Sequence, residues 1–286
     1  MFVTRANSYC KSDDFNGECD TIKLIMGNKE FKELTFTNDF IFAKVMLNEK
    51  LCKQLIEVIL DVKIRKINYP DLQKAINPSY DSKSIRLDVY LDDDKGTVYD
   101  IEMQTTNPGN IPKRMRYYQG MIDLNLIEKG ENYSKLAKSY VIFICTEDIF
   151  KQDKPVYEFE NYCKKYELSL GDDTYKIVLN AACTQLQNTD LGNFLRFVQT
   201  GKPTDKFTDE LLNEVEIVKS NKKWEVEYMT LLMRDKEKQK EGALLYQKLL
   251  NTIPKDSEDF AHALSASAEE IDALYEKYSI NTDEIE

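Results

Sequence analysis

Residues 86–104, RLDVYLDDDKGTVYDIEMQ, restrict the fold more than any other stretch, because two runs of period-two alternation flank a turn and read as a β-hairpin. In the first run Ile85, Leu87, Val89 and Leu91 share one face, and Arg86, Asp88 and Tyr90 the other. In the second, Tyr99, Ile101 and Met103 oppose Val98, Asp100, Glu102 and Gln104, and DDDKG supplies the turn. Antiparallel partners carry numbers that add to a constant, here near 188 or 190. The first value sets Asp88 opposite Asp100, and the second sets it opposite Glu102. Either one gathers Asp88, Asp100, Glu102 and Gln104 on one face.

Carboxylates held opposite one another repel unless a cation or a proton lies between them. Two readings follow. The face is a solvated outer surface, or it takes a hard divalent ion such as Mg²⁺, which is typically held by one or two carboxylates plus water and substrate phosphate. The helix starting near Ile111 carries Lys113, Arg114 and Arg116 with Tyr117, Tyr118 and Gln119. A short loop brings this basic and aromatic cluster close to the acids, an arrangement that suits a phosphodiester. Residues 63–119 hold ten Lys and Arg against eight Asp and Glu, a locally basic region in a chain of formal charge −11. That overall charge argues against a generic polyanion-coating protein, so any nucleic-acid site has to be a local patch.

Around the hairpin, TNDFIFAKVMLNEKLCKQLIEVIL repeats apolar residues at helical spacing with a break near Asn48, and KIRKINY reads as a short strand. IPKRMRYYQGMIDLNLIEKG is a helix with Pro112 in its first turn and Gly130 past its end, and SYVIFIC is a strand covered on both faces. PVYEFE and DTYKIVLN add a pair of strands. The remainder is helical, with stripes at Trp224, Tyr228, Leu231 and Leu232 and at Ile271, Leu274, Tyr275 and Tyr278, the latter behind a Ser267-to-Glu270 capping box. The order implies a mixed sheet flanked by helices, an α/β fold. Residues 1–36 read as a poorly structured extension, 37–200 as the main domain and 201–286 as a helical region.

A single histidine, His262, removes reaction classes built on Ser-His-Asp, Cys-His or HExxH groupings, and it sits in a plain helical segment. Six scattered cysteines without a CxxC pair suggest neither a zinc site nor a disulfide framework. The apolar runs are too short to span a bilayer and the first residues lack a signal-peptide core, which places the chain in the cytoplasm with no membrane partner.

RLDVY, YDIEMQ, KRMRYYQGMID and KGENYSKLAKSYVIFIC, in that order, resemble the PD-(D/E)XK nuclease-fold family of transposase-like proteins, the recombination-promoting nucleases. TNDFIFAKVM upstream and WEVEYM downstream are similar to that family too, so the resemblance runs from about Thr37 to Met229. It implies a restriction-endonuclease-like PD-(D/E)XK core with a helical C-terminal region, and a Mg²⁺- or Mn²⁺-dependent endonuclease acting on DNA. By the same resemblance Asp88 is the motif acid, Glu102 the second metal ligand, and Gln104 stands where many nucleases of this fold have Lys. Asp39 matches a family acid that holds the metal directly or through water, with a helix N-cap as its other reading. Two departures stand out: Ala43 follows Phe42 where relatives commonly have Lys, and Glu225 follows the tryptophan where the family tends to have Arg.

In the mechanism this implies, Asp88 and Glu102 hold the metal, Gln104 orients the attacking water, and Lys113, Arg114 and Arg116 clamp backbone phosphates. A catalytically weak or inactive DNA-binding or assembly protein on the same fold, and an RNA nuclease, are the alternatives. The helical tail is suited to forming a homodimer, which would serve double-strand cutting.

Overall fold

The computed structural model describes residues 31–68, 71–72, 75–76 and 85–280. The first helical stretch is two helices. Asn38 caps α1 (Asp39–Val45) by accepting from the Ile41 amide, and Asn48 caps α2 (Glu49–Leu60) by accepting from the Leu51 amide. The expected break at Asn48 is therefore a cap that starts a new helix. KIRKINY is not a strand: Ile64 and Ile67 are buried three residues apart, a spacing that alternation cannot produce, and within it Ile67 forms an isolated bridge to Asp93.

Among the described residues the main sheet has six strands in the order β1 (Asp71–Leu72), β4 (Val89–Asp92), β5 (Val98–Gln104), β6 (Ser139–Cys145), β10 (Thr174–Asn180) and β7 (Val156–Phe159). β5, β6 and β10 run parallel, and the neighbours outside them antiparallel, so the sheet is mixed as its sequence order required. Short pairs β2–β3 (Ala75–Ile76, Ile85–Arg86) and β8–β9 (Tyr162–Cys163, Leu168–Ser169) stand apart from it.

Both faces of the central strands are buried. On one, Tyr90, Val98, Val141, Phe143, Cys145 and Val178 form a core with Ile111, Met115, Tyr118, Met121 and Ile122 of helix α3 (Ile111–Leu126). Those helix residues recur every three or four positions, the stripe a helix needs to lie on a sheet. On the other face Tyr99, Ile101, Ile142, Ile144, Ile177 and Leu179 are buried as well. Helices α4 (Asp190–Thr200) and α5 (Lys206–Ser220) pack with α1 and α2, and the rings of Phe36, Phe42, Phe194 and Phe197 meet among them.

One compact unit continues to Trp224 and a second begins at Glu225, because α5 is anchored on α1 rather than on the tail. At the other end, Phe31, Leu34 and Phe36 are already buried, so the core starts before residue 37; residues 1–30 of the expected extension lie outside the described residues. Lys44, the basic residue displaced by Ala43, lies over the rings of Phe40 and Trp224, while Ala43 itself is buried.

In the second unit the end of α6 (Lys222–Thr252), α7 (Glu258–Ala263) and α8 (Ala268–Lys277) enclose Leu249, Ile253, Ala263, Ile271 and Leu274. Ser267 and Glu270 close the capping box, and His262 is exposed on α7. Of the four described cysteines, Cys52, Cys145 and Cys183 are buried and Cys163 is exposed, all as free thiols. Among the described residues no helix is long and apolar enough to cross a membrane.

Candidate active site

β4 and β5 pair Val89 with Ile101, Tyr90 with Asp100, Leu91 with Tyr99 and Asp92 with Val98, which is the register of constant 190. Carried one residue further, it sets Asp88 opposite Glu102. The chain bends at Asp88, just before β4, and side chains continue the ladder that the backbone leaves. Glu102 Oε1 accepts from the Asp88 amide at 2.9 Å, and Asp88 Oδ2 accepts from the Met103 amide at 3.0 Å. Each acid is thus held by the backbone of the other's strand. Of the remaining acids of the hairpin, Asp93 serves the turn, accepting from the Lys95 and Thr97 amides and from the Tyr99 hydroxyl, while Asp92 accepts from Asn68 Nδ2 and Asp94 from the Lys66 amide; Gly96 takes the positive φ of +78° that the turn requires.

The acid face is not a solvated surface, because α3 lies across it. Asp100 is 0 % exposed and Glu102 4 %. Among the described residues neither oxygen of Asp100 has a hydrogen-bond donor. Burial pushes Asp100 well above the usual carboxylate range, with repulsion from Asp88 adding to it. Glu102 is raised in the same direction, again by burial first, then by Asp100 and Asp88; Arg114 opposes both shifts. A direct bond between Asp100 and Glu102 exists only when one of them carries a proton, since two ionised carboxylates can only accept.

Arg114, in the first turns of α3, reaches into this cluster instead of out toward solvent. Its Nη1 donates to Gln104 Oε1 at 2.6 Å, its Nη2 donates to the Tyr118 hydroxyl at 3.0 Å and lies 3.6 Å from Glu102 Oε2. The guanidinium carbon lies 5.4 Å from the ring centre of Tyr118 and 5.1 Å from that of Phe143, a cation against two aromatic rings. Gln104 is clamped at its other end too, with Nε2 donating to the Thr106 carbonyl at 2.6 Å. Its amide therefore has one orientation, with the oxygen toward Arg114.

The other residues expected at the site divide. Lys113, Arg116 and Tyr117 are exposed on the outer side of α3. Tyr118 and Gln119 are buried: Tyr118 supports Arg114, and Gln119 donates to Ser139 Oγ and to Asp123, so neither lies on the surface with the cations. Their positions on the inward stripe of α3 explain this. Asp39 is exposed in the first turn of α1, where it accepts from the Phe40 amide, and the cap is its neighbour Asn38. It is not among the charges acting on Asp100 or Glu102.

Among the described residues no three His, Cys, Asp or Glu side chains form a ready-made cage for a metal ion. The donor set nevertheless fits a hard divalent cation. Asp88, Asp100, Glu102 and Gln104 all offer oxygen donors, and among the described residues the buried Asp100 oxygens have no hydrogen-bond partner. Mg²⁺ needs only one or two protein carboxylates, with water and phosphate completing its shell.

The buried acids make a prediction for the metal-free protein. A carboxyl raised on folding contributes stability that is present below its unfolded value, near pH 4, and is lost as pH rises through its folded value. In EDTA the protein is therefore expected to lose stability as pH is raised from about 4 into the neutral range. Asp100→Asn should flatten that loss and raise Tm at pH 7 by roughly 3 °C or more, read by differential scanning fluorimetry. An unchanged Tm and pH profile would show that Asp100 carries no uncompensated charge.

A family model described as PD-(D/E)XK nuclease family transposase matches residues 36–248, well over half of the chain. No curated protein and no solved structure matches it.

Proposed function

Because the chain belongs to the PD-(D/E)XK nuclease family transposases, we propose that it is a metal-dependent DNA endonuclease that hydrolyses phosphodiester bonds. The observation that carries this reading is the cross-strand pair of Asp88 and Glu102, locked to each other's backbone beside the buried Asp100. A transposase-type nuclease has to stabilise added negative charge at phosphorus, and carboxylates do so only through a cation.

Asp88 and Glu102 would hold Mg²⁺ or Mn²⁺, with Asp100 close behind them. The ion supplies polarisation of a phosphoryl oxygen and a lowered pKa for water. Gln104, its amide fixed by Arg114 and Thr106, orients the attacking water, and it cannot take the proton as a lysine or carboxylate would. Arg114 offsets the charge of Glu102 and holds Gln104. Lys113 and Arg116 bind backbone phosphates from the exposed side of α3, with Tyr117 offering a ring for contact. Unpaired thiols at all four described cysteines support a cytoplasmic, reducing setting.

Incubation of the purified protein with supercoiled plasmid in Mg²⁺, Mn²⁺ or EDTA tests the proposal. Nicked and linear products are expected with either ion and none with EDTA. Cutting that persists in EDTA would remove the metal from the reaction, and cutting confined to RNA would reassign the substrate.

A further inference from the structure

The strand β7 leads into a hairpin arm that the core does not cover. Residues 158–173 are all exposed, and β8 and β9 pair within them as Tyr162 with Ser169 and Cys163 with Leu168. The arm holds its shape by its own bonds. Leu170 N donates to the Asn161 carbonyl at 2.8 Å, Asn161 Nδ2 to Asp172 at 2.6 Å, and Tyr166 N to the Cys163 carbonyl at 3.2 Å, with Glu167 at φ +48° closing the turn. Tyr162, Tyr166, Leu168 and Leu170 are nevertheless 51–69 % exposed. Four large apolar side chains in nine residues do nothing for a two-stranded arm they leave in water, and such a patch marks a contact surface.

Charge identifies the partner. Lys164 and Lys165 outweigh Glu167 at the tip, while Glu158, Glu160, Asp172 and Asp173 surround the base. The whole arm carries five acids against two lysines, so it repels a nucleic-acid backbone. Laid antiparallel on a copy of itself, it instead brings each basic tip onto the other's acidic base, the self-complementary pattern of a two-fold contact. We infer that the arm is a self-association surface on which a second copy of this chain seats its own arm, tip on base, with Leu168, Leu170 and Tyr166 between them.

Sedimentation velocity of the full chain over a range of concentrations and NaCl tests this. The wild type should form a dimer that weakens with salt. Leu168→Asp with Leu170→Asp should raise its dissociation constant at least about tenfold without changing the circular dichroism. Two charge-reversed forms guard against misfolding: Lys164→Glu with Lys165→Glu, and Glu160→Lys with Asp173→Lys. Each should be monomeric alone, and their equimolar mixture should associate. A wild type that stays monomeric, a dimer unaffected by the arm variants, a mixture that does not associate, or arm variants that lose duplex-DNA binding at unchanged mass would each overturn the inference.

Discussion

Asp88→Asn should reduce metal-dependent plasmid cleavage by about 10³-fold or more, with DNA binding in Ca²⁺ or EDTA close to wild type. The substitution removes one negative charge and almost no volume. An asparagine oxygen can still accept from the Met103 amide, as Asp88 Oδ2 does, so the bend that sets Asp88 opposite Glu102 should survive. What is lost is the charge that makes the pair a ligand set for a hard cation. Glu102→Gln should act the same way, because its Oε1 accepts from the Asp88 amide and an amide oxygen can take its place. The two effects should not add, since either loss dismantles the same site. The measurements are initial rates at saturating Mg²⁺ and anisotropy with a labelled duplex. A variant that cuts at the wild-type rate would show that these acids are structural.

Arg114→Ala should lower kcat by roughly 10²-fold while changing KM for DNA much less. Its guanidinium is engaged with Gln104, Glu102 and Tyr118 and lies against two rings, so its expected action is on the groups around it and not directly on a phosphate. Lys113→Ala should give the opposite split, a weaker and less salt-dependent affinity at nearly unchanged kcat, because an exposed lysine contributes mainly to backbone binding. Arg114→Lys separates positioning from charge. An ammonium can sit near Glu102, but it has no fork to reach Gln104 and Tyr118 together, so it should recover thermal stability more than rate. Equal recovery of both would show that charge alone is needed at residue 114. A KM effect that dominates in Arg114→Ala would return the side chain to the role of phosphate clamp.

Much of the site was legible because alternation is a property of the local backbone. Asp88, Asp100, Glu102 and Gln104 share a face in any even register, and the DDDKG turn allowed only two such registers. The capping box at Ser267 was legible for the same reason, as it acts within three residues, and at Asn48 the break was legible although the new helix it caps was not. KIRKINY misled because its isoleucines stand three apart, a spacing that a bend at Arg65 buries and strand alternation does not, and the bend is fixed by the neighbouring turn at Asp93. The packing of α5 was not legible because it has a helical sequence like that of the tail, while its partners, α1 and α2, lie more than a hundred residues earlier.

Arg114 and Gln119 show where local reading stops. On the sequence they belong to one run of cations and aromatics, KRMRYYQ. In the fold that run is divided by the helix: Lys113, Arg116 and Tyr117 face out, and Arg114, Tyr118 and Gln119 face the sheet. The sequence by itself determined which acids stand together, on a face left open to either water or a cation. Only the tertiary structure decided that α3 covers them, which buries Asp100 without a donor among the described residues and turns Arg114 toward Gln104 and Glu102. The reason is physical: strand periodicity comes from backbone geometry within a few residues, whereas burial depends on which distant element packs on the face.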